Sequence, residues 1–334
     1  MNDILKSILD FIYGLVNNYG LSIILFTLLI KLCLLPLDYK SRKGMRKMSA
    51  LAPKQQELQR KYGHDQEKLN RKLSELYKKE GASPMAGCWP LLLSMPILFA
   101  MYGAMRYMAN EQLVKQTFDL LLGNEVVFEP FLWVKNLWMP DSPFAGSWPT
   151  LQSLQMVEEK QWIAIFNTLT PEQVLCMANE LGIPDLSAAS FVKGDALTAT
   201  INAIVPKLPI AEKTPYGVNL LIARPTLVKN FNGLFILPVL SAVSQFVMSK
   251  LTEKQNPQPT PAATADGQPQ PNTGNFMKWF FPLFSLWICA SSNAAFALYW
   301  VVTNIFSLIS NQLINWKLDR DEKKAASNPE PALK

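Results

Sequence analysis

Residues 21–37, LSIILFTLLIKLCLLPL, form an apolar run that carries a single charge, Lys31, near its middle. At 1.5 Å per residue the run covers roughly 25 Å, slightly short of a hydrocarbon core of about 30 Å. A chain with such a segment folds around a membrane span. A charge at that depth is costly, and no acid stands in the run to neutralise it. Two readings of Lys31 remain open. Its stem can snorkel toward the end of the helix at Leu37, ~9 Å away, or its ammonium can face a water-filled pocket among several helices.

Four more apolar runs follow, at 86–108, 233–250, 277–291 and 295–315. The expected architecture is therefore an all-α membrane protein with five spans. Pro90 and Pro96 fall inside the second run, which a membrane helix tolerates when neighbours bond the freed carbonyls. A mean hydropathy of +0.08 is too low for spans alone and calls for sizeable aqueous segments as well.

Those segments differ in character. The first twenty residues place Ile4, Leu5, Ile8, Leu9, Ile12 and Leu15 at helical spacing. They lack a basic leader and a small-residue cleavage site, so they read as an interfacial amphipathic helix and not as a signal peptide. The opening turns of a longer first span are the other reading. Residues 38–84 hold thirteen basic and six acidic side chains, a net +7. Met45, Met48, Leu51 and Leu58 form one apolar stripe and Leu69, Leu73, Leu76 and Tyr77 another, with YGHD (62–65) between them. This pattern predicts a helical hairpin, against the alternative of a solvated charged loop. Residues 109–232 net −4 and predict a mostly helical domain. Within it, Thr170, Pro171 and Gly182 stand at N-cap, first-turn and stop positions. The stretch 251–276, rich in Pro, Gln, Thr and Ala, reads as a disordered linker, and 316–334 as a tail.

The positive-inside bias puts 38–84, the linker and the C-terminus in the cytoplasm, and the N-terminus and the acidic domain outside. The net charge of +6 is explained by that topology and by anionic lipid, not by DNA. One histidine, His64, excludes histidine triads, HExxH sites and multi-histidine metal centres. Cys33, Cys88, Cys176 and Cys289 have neither disulfide nor metal spacing, and no glycine-rich phosphate loop is present. No cofactor and no catalytic residues are expected.

Polar residues recur in the spans: Ser94 in the second, Ser241, Ser244 and Gln245 in the third, Thr303, Asn304 and Asn311 in the fifth. A proton relay would show intramembrane carboxylates, which are lacking. The runs LLIKLCLLPL, GASPMAGCWPLLLSMPILFAMY, FILPVLSAVSQFVMSKL and ALYWVVTNIFSLISNQLI, in this order and with the charged hairpin after the first, resemble the YidC-type membrane protein insertases, relatives of the Oxa and Alb proteins. Pro84, Gly87, Cys88, Pro90, Met95 and Pro96 carry the most specific part of the likeness, which covers about 1–140 and 231–316.

The resemblance implies five helices around a hydrophilic groove, with Lys31, Gln245 and Trp300 where the family lines it; Ser94, Ser244 and Asn304, as polar residues of the spans, are expected to line it too. The family's usual arginine is replaced by Lys31, which keeps the charge but not the bidentate geometry. Trp300 can equally be an interface or packing aromatic. The implied function is an insertase and chaperone for nascent membrane proteins. The +7 charge and thin seam of 38–84 predict an arm that recruits cytoplasmic partners such as the ribosome, a targeting receptor or the Sec translocon through Arg42, Lys43, Arg46, Lys47, Lys54, Arg60, Lys61, Arg71 and Lys72. Two departures stand out: residues 142–230 have no counterpart in the family's short outer segment, and SSNAA replaces the usual proline-containing link between the last spans. A small-solute or anion channel or transporter is the alternative function. It predicts paired broken helices or an internal repeat, neither of which the sequence shows.

The topology has a direct readout. In intact cells an impermeant thiol reagent is expected to label Cys176, and protease to cut within 109–232 before it cuts 251–276. The reverse order of cleavage would invert the orientation.

Overall fold

The computed structural model describes residues 2–82, 89–209, 213–217, 226–255 and 273–327. Pro84, Gly87 and Cys88, most of the expected linker and the end of the tail lie outside the described residues. Those described are mostly helical. In chain order they form α1 (Asn2–Val16), α2 (Tyr19–Ala50), α3 (Ala52–Tyr62), α4 (Gln66–Glu80) and α5 (Trp89–Leu121). Then come α6 (Leu151–Gln155), α7 (Glu159–Phe166), α8 (Pro171–Leu181) and α9 (Asp195–Ile204), and last α10 (Ile236–Gln255), α11 (Thr273–Ser291) and α12 (Ala294–Ser327). A two-stranded antiparallel sheet pairs β1 (Lys213–Gly217) with β2 (Thr226–Val228), an element that the helical reading of this region did not include.

The helices outrun the apolar windows. α2 continues past Leu37 to Ala50, and α5 past Met108 to Leu121. Apolarity marks what suits lipid, whereas Lys, Arg, Met and Gln are themselves good helix formers and carry a helix on into water. Arg42, Lys43, Arg46 and Lys47, expected on the hairpin, consequently belong to α2. α3 and α4 remain as an antiparallel pair. Asp65 caps α4 by accepting from the Lys68 N–H at 3.0 Å, and Lys54 on α3 reaches Glu80 on α4 at 2.6 Å. Leu51 and Leu69 are buried, while most of the surrounding charge is exposed.

The chain forms two compact units. The first comprises residues 1–26, 99–240 and 286–300; the second comprises 27–98, 241–285 and 301–334. The first unit holds a core in which Trp162, Phe191, Met177, Leu154 and Ile204 gather from α6–α9 and the loops between them, together with Val114, Phe118 and Leu121 from the end of α5. Trp162 and Phe191 stack at 5.4 Å, with Phe118 tilted against both. α8 begins with a capping box in which Thr170 and Gln173 bond each other's backbone, and Pro171 follows in its first turn. Gly182, at φ +66°, ends it in the left-handed conformation that glycine adopts without strain.

A loop at 136–141 ties two helix starts together. The buried Asp141 carboxylate accepts from the N–H groups of Phe235 and Leu237, at 3.1 and 2.7 Å, where α10 begins, and from Trp133 Nε1 at 3.1 Å. The carbonyls of Met139 and Leu137 accept from Ala294 and Ala295, the first residues of α12, each at 2.9 Å. Helix starts leave amides without intrahelical partners, and this loop accepts from two at the start of each helix. Asn232 locks the loop by donating to the carbonyls of Asn136 and Pro140 and accepting from the Asn136 N–H. Gly233 passes so close that a Cβ there would collide with Asp141.

Asp141→Ala is expected to cost the first unit about 3 kcal/mol, since it strands several buried donors. Thr170→Ala, which removes one exposed cap, should cost about 1 kcal/mol. Thermal unfolding in detergent checks the ranking; equal losses would contradict it.

Candidate functional site

The second unit inverts the arrangement of a water-soluble protein. Leu29 and Leu32 of α2, Val243 and Val247 of α10, Trp279, Phe280 and Leu283 of α11, and Ile305, Ile309, Leu313 and Trp316 of α12 are exposed. Ser241, Ser285, Asn304, Ser310 and Asn311 are buried. On α12 the exposed set recurs at i, i+4, i+8 and i+11. Asn304, Ser307 and Asn311 recur at i, i+3 and i+7 on the opposite side of the helix.

These polar faces meet in a seam. Asn304 Nδ2 donates to Ser244 Oγ at 3.1 Å and to the Ser241 carbonyl at 3.5 Å. Ser244 Oγ donates to the Ser241 carbonyl at 3.0 Å, and Ser241 Oγ to the Ser285 carbonyl at 3.2 Å. Asn311 Nδ2 lies 2.9 Å from Met248 Sδ. Lys31 is half-buried, and its Nζ donates to Ser307 Oγ at 3.2 Å. Among the described residues no carboxylate stands within ion-pairing distance of it. An ammonium carries three donors, and Ser307 takes one.

The contacts also fix helix directions. Residues 241, 244 and 248 of α10 meet residues 304 and 311 of α12 in rising order, so these helices run parallel. α2 is parallel to α12 as well: Lys31 meets Ser307, and Arg46 meets Asp319 and Glu322. α11 runs against α10, with Lys278 at Glu253 (2.5 Å) and Ser285 at Ser241. Within the first unit α5 runs against the start of α12, where Tyr102 packs edge-on to Phe296 and Asn293 donates to the Met105 carbonyl.

Of the six residues expected to line a groove, Lys31, Ser244 and Asn304 fall in this seam. Gln245 is half-buried on α10 in the same unit. Trp300 belongs to the first unit, where its ring packs on Phe296 at 5.7 Å and its buried Nε1 has no acceptor among the described residues. The Ser94 side chain lies outside the described residues, though its backbone is part of α5.

The basic residues expected to meet partners are dispersed. Arg46 is bound to Asp319 and Glu322. Lys54 is paired with Glu80, and Lys72 with Glu75 at 2.7 Å. Arg71 approaches Glu75 more loosely, at 4.0 Å. Lys43, Lys47, Arg60 and Lys61 are exposed, and Arg42 holds a buried Nη1 without a partner among the described residues. Hydrogen bonding by Lys54 holds the Glu80 carboxyl below the usual range, and the Lys68 N–H does the same for Asp65.

Sequence reasoning missed Ser307. Its spacing from Asn304 and Asn311 was the available signal, but its meeting with Lys31 joins residues 276 positions apart.

Helices with apolar residues outward and serines and asparagines inward define a membrane-protein class, and α2 and α12 are each long and apolar enough to cross a bilayer. The chain belongs to the 60Kd inner membrane protein family, whose profile matches residues 11–322. It is similar to the membrane protein insertase YidC of Chlorobaculum tepidum, at 29% identity over 312 residues, covering 93% of this chain and 35% of that protein. Shorter matches reach 50% over 95 residues with the same-named protein of Wolinella succinogenes, 28% of this chain and 18% of that protein. With that of Pelodictyon phaeoclathratiforme the identity is 41% over 141 residues, 42% of this chain and 22% of that protein. The chain thus spans about a third or less of the length of these relatives.

In a background with the native cysteines replaced, cysteines at 31 and 307 should be joined by a short bifunctional thiol reagent. Cysteines at 31 and 309 should not be, because Ile309 is on the exposed side of α12. Mass spectrometry distinguishes the outcomes, and efficient joining of the second pair would break the assignment of the seam.

Proposed function

We propose that this chain is a membrane protein insertase of the bacterial cell membrane, which gives newly made proteins a hydrated, cationic path into the bilayer. The observation that carries this reading is a seam of serine and asparagine inside an apolar exterior, with Lys31 beside it and no carboxylate paired to it among the described residues. The name shared by the relatives agrees with it.

The physics is one of transfer. Moving the polar flank of a substrate through hydrocarbon leaves groups unsatisfied, at several kcal/mol each. Ser244, Asn304 and Ser307 offer donors and acceptors that replace water along part of that route. Lys31 attracts acidic residues of the crossing segment transiently. The exposed leucines and isoleucines then give the apolar part of the substrate a flank on which to slide into lipid. No covalent step is involved.

Five spans fit the helix directions: α2, α10 and α12 parallel, α11 opposed to α10 and α5 opposed to α12, as a chain crossing five times requires. The +7 charge of 38–84 favours a cytoplasmic C-terminus and an outer N-terminus. On this reading the α3–α4 pair and the exposed Lys43, Lys47, Arg60 and Lys61 form a surface for ribosomes, a targeting receptor or the Sec translocon. Nothing in the seam favours a channel or transporter.

The test is replacement in bacteria depleted of their own insertase. The intact chain should restore growth and insertion. Lys31→Arg should keep that activity, and Lys31→Ala should lower insertion of substrates with acidic outer segments about tenfold while sparing neutral ones, on the scale of about one ion-pair interaction. Failure of the intact, membrane-integrated chain to restore either would overturn the reading, and equal activity of Lys31→Ala on acidic substrates would remove Lys31 from it.

A further inference from the structure

The exposed stripe of α12 changes chemistry abruptly. Ile305, Ile309 and Leu313 lead to Trp316, which is 61% exposed; the exposed Arg320 follows it one turn on, with the exposed Lys317 and Lys324 on the adjoining face. Of the three acids of this segment, only Asp321 stands exposed beside Lys317 and Lys324, and it offsets part of their charge. The other two, Asp319 and Glu322, are taken up by Arg46 of α2. Two of the cations are also pre-positioned on aromatic rings: the Arg320 guanidinium lies 5.6 Å from the centre of Trp316, and Lys317 Nζ lies 5.1 Å from that of Tyr39 on α2.

We propose that Trp316, Lys317, Arg320 and Lys324, with Tyr39, form a binding site for the headgroup of an anionic phospholipid such as phosphatidylglycerol. A guanidinium stacked on a ring keeps its N–H edge free for a phosphodiester. Lysines on the adjoining face add charge without requiring a fixed geometry. An indole at the junction of apolar and charged residues marks the interfacial level. The continuity of the stripe selects lipid over a nucleic-acid backbone: a phosphate held at Arg320 leaves its acyl chains lying along Leu313, Ile309 and Ile305, which RNA would leave uncovered. The inference rests on the membrane placement proposed above and adds to it a lipid class and a site.

The full chain is placed in nanodiscs of phosphatidylcholine with a minor share of phosphatidylglycerol, with brominated acyl chains on one lipid or the other. The signal of Trp316 is taken as the difference from Trp316→Phe. At equal brominated fraction, phosphatidylglycerol is expected to quench Trp316 as though enriched about threefold locally, in keeping with the attraction of basic residues to anionic lipid. Lys317→Gln with Arg320→Gln and Lys324→Gln should reduce quenching to that of brominated phosphatidylcholine without altering far-ultraviolet circular dichroism. Equal quenching by the two lipids in the unsubstituted chain would overturn the lipid site while leaving the membrane placement intact. Absence of quenching by either lipid would overturn both. Equal quenching together with salt-sensitive binding of ribosomal RNA lost in the triple variant would assign the cations to nucleic acid instead.

Discussion

The carboxylate of Asp141 is the point on which the first unit depends. A helix cannot begin in an apolar setting unless something accepts its leading amides, and α10 begins where Asp141 provides that acceptor. The same loop serves α12 through the carbonyls of Leu137 and Met139. Two long helices far apart in sequence thus start from one short piece of irregular backbone. That backbone is itself held by Asn136 and Asn232, whose side chains satisfy it from within. The backbone crowding at Gly233 is a condition of the same arrangement, because a larger residue would displace the carboxylate from the amides.

Parallel helix starts have a counterpart in parallel polar faces. Because α10 and α12 run the same way, Ser241, Ser244 and Met248 climb in step with Asn304 and Asn311, and a hydrogen-bonded seam forms without interruption by charge. α2 adds Lys31 to this seam through Ser307 and closes the far end with the Arg46 pairs. Ionic contacts thus concentrate toward the charged ends of the helices and neutral polar contacts in the apolar runs, as the cost of burying unpaired charge demands. Lys31 stands as the exception.

Much of this was written locally in the chain. Thr170, Pro171 and Gly182 bracket α8 because caps are short-range chemistry. The mostly helical class and the family likeness were readable from the apolar runs and their prolines. What could not be read were relations between distant residues and the true ends of helices. Hydropathy could not show that α2 reaches Ala50, since lysine and arginine favour helix as well as water. The pair β1–β2 was missed because Pro215 stands in its first strand and no tight-turn dipeptide announces the pairing. Lys31 was conspicuous as a charge, yet its companion Ser307 gave no sign of itself among several similar hydroxyls.

The end of α5 carries a consequence for how the first unit came to be assembled. Val114, Phe118 and Leu121 are part of the core that α6–α9 surround, so the domain is not a bead strung between two helices. Excision at residue 142 would leave three of its own interior side chains behind on the stump. The domain and the helix that leads into it therefore melt together or not at all, and transplanting this module to another scaffold would require taking the last three turns of α5 along with it.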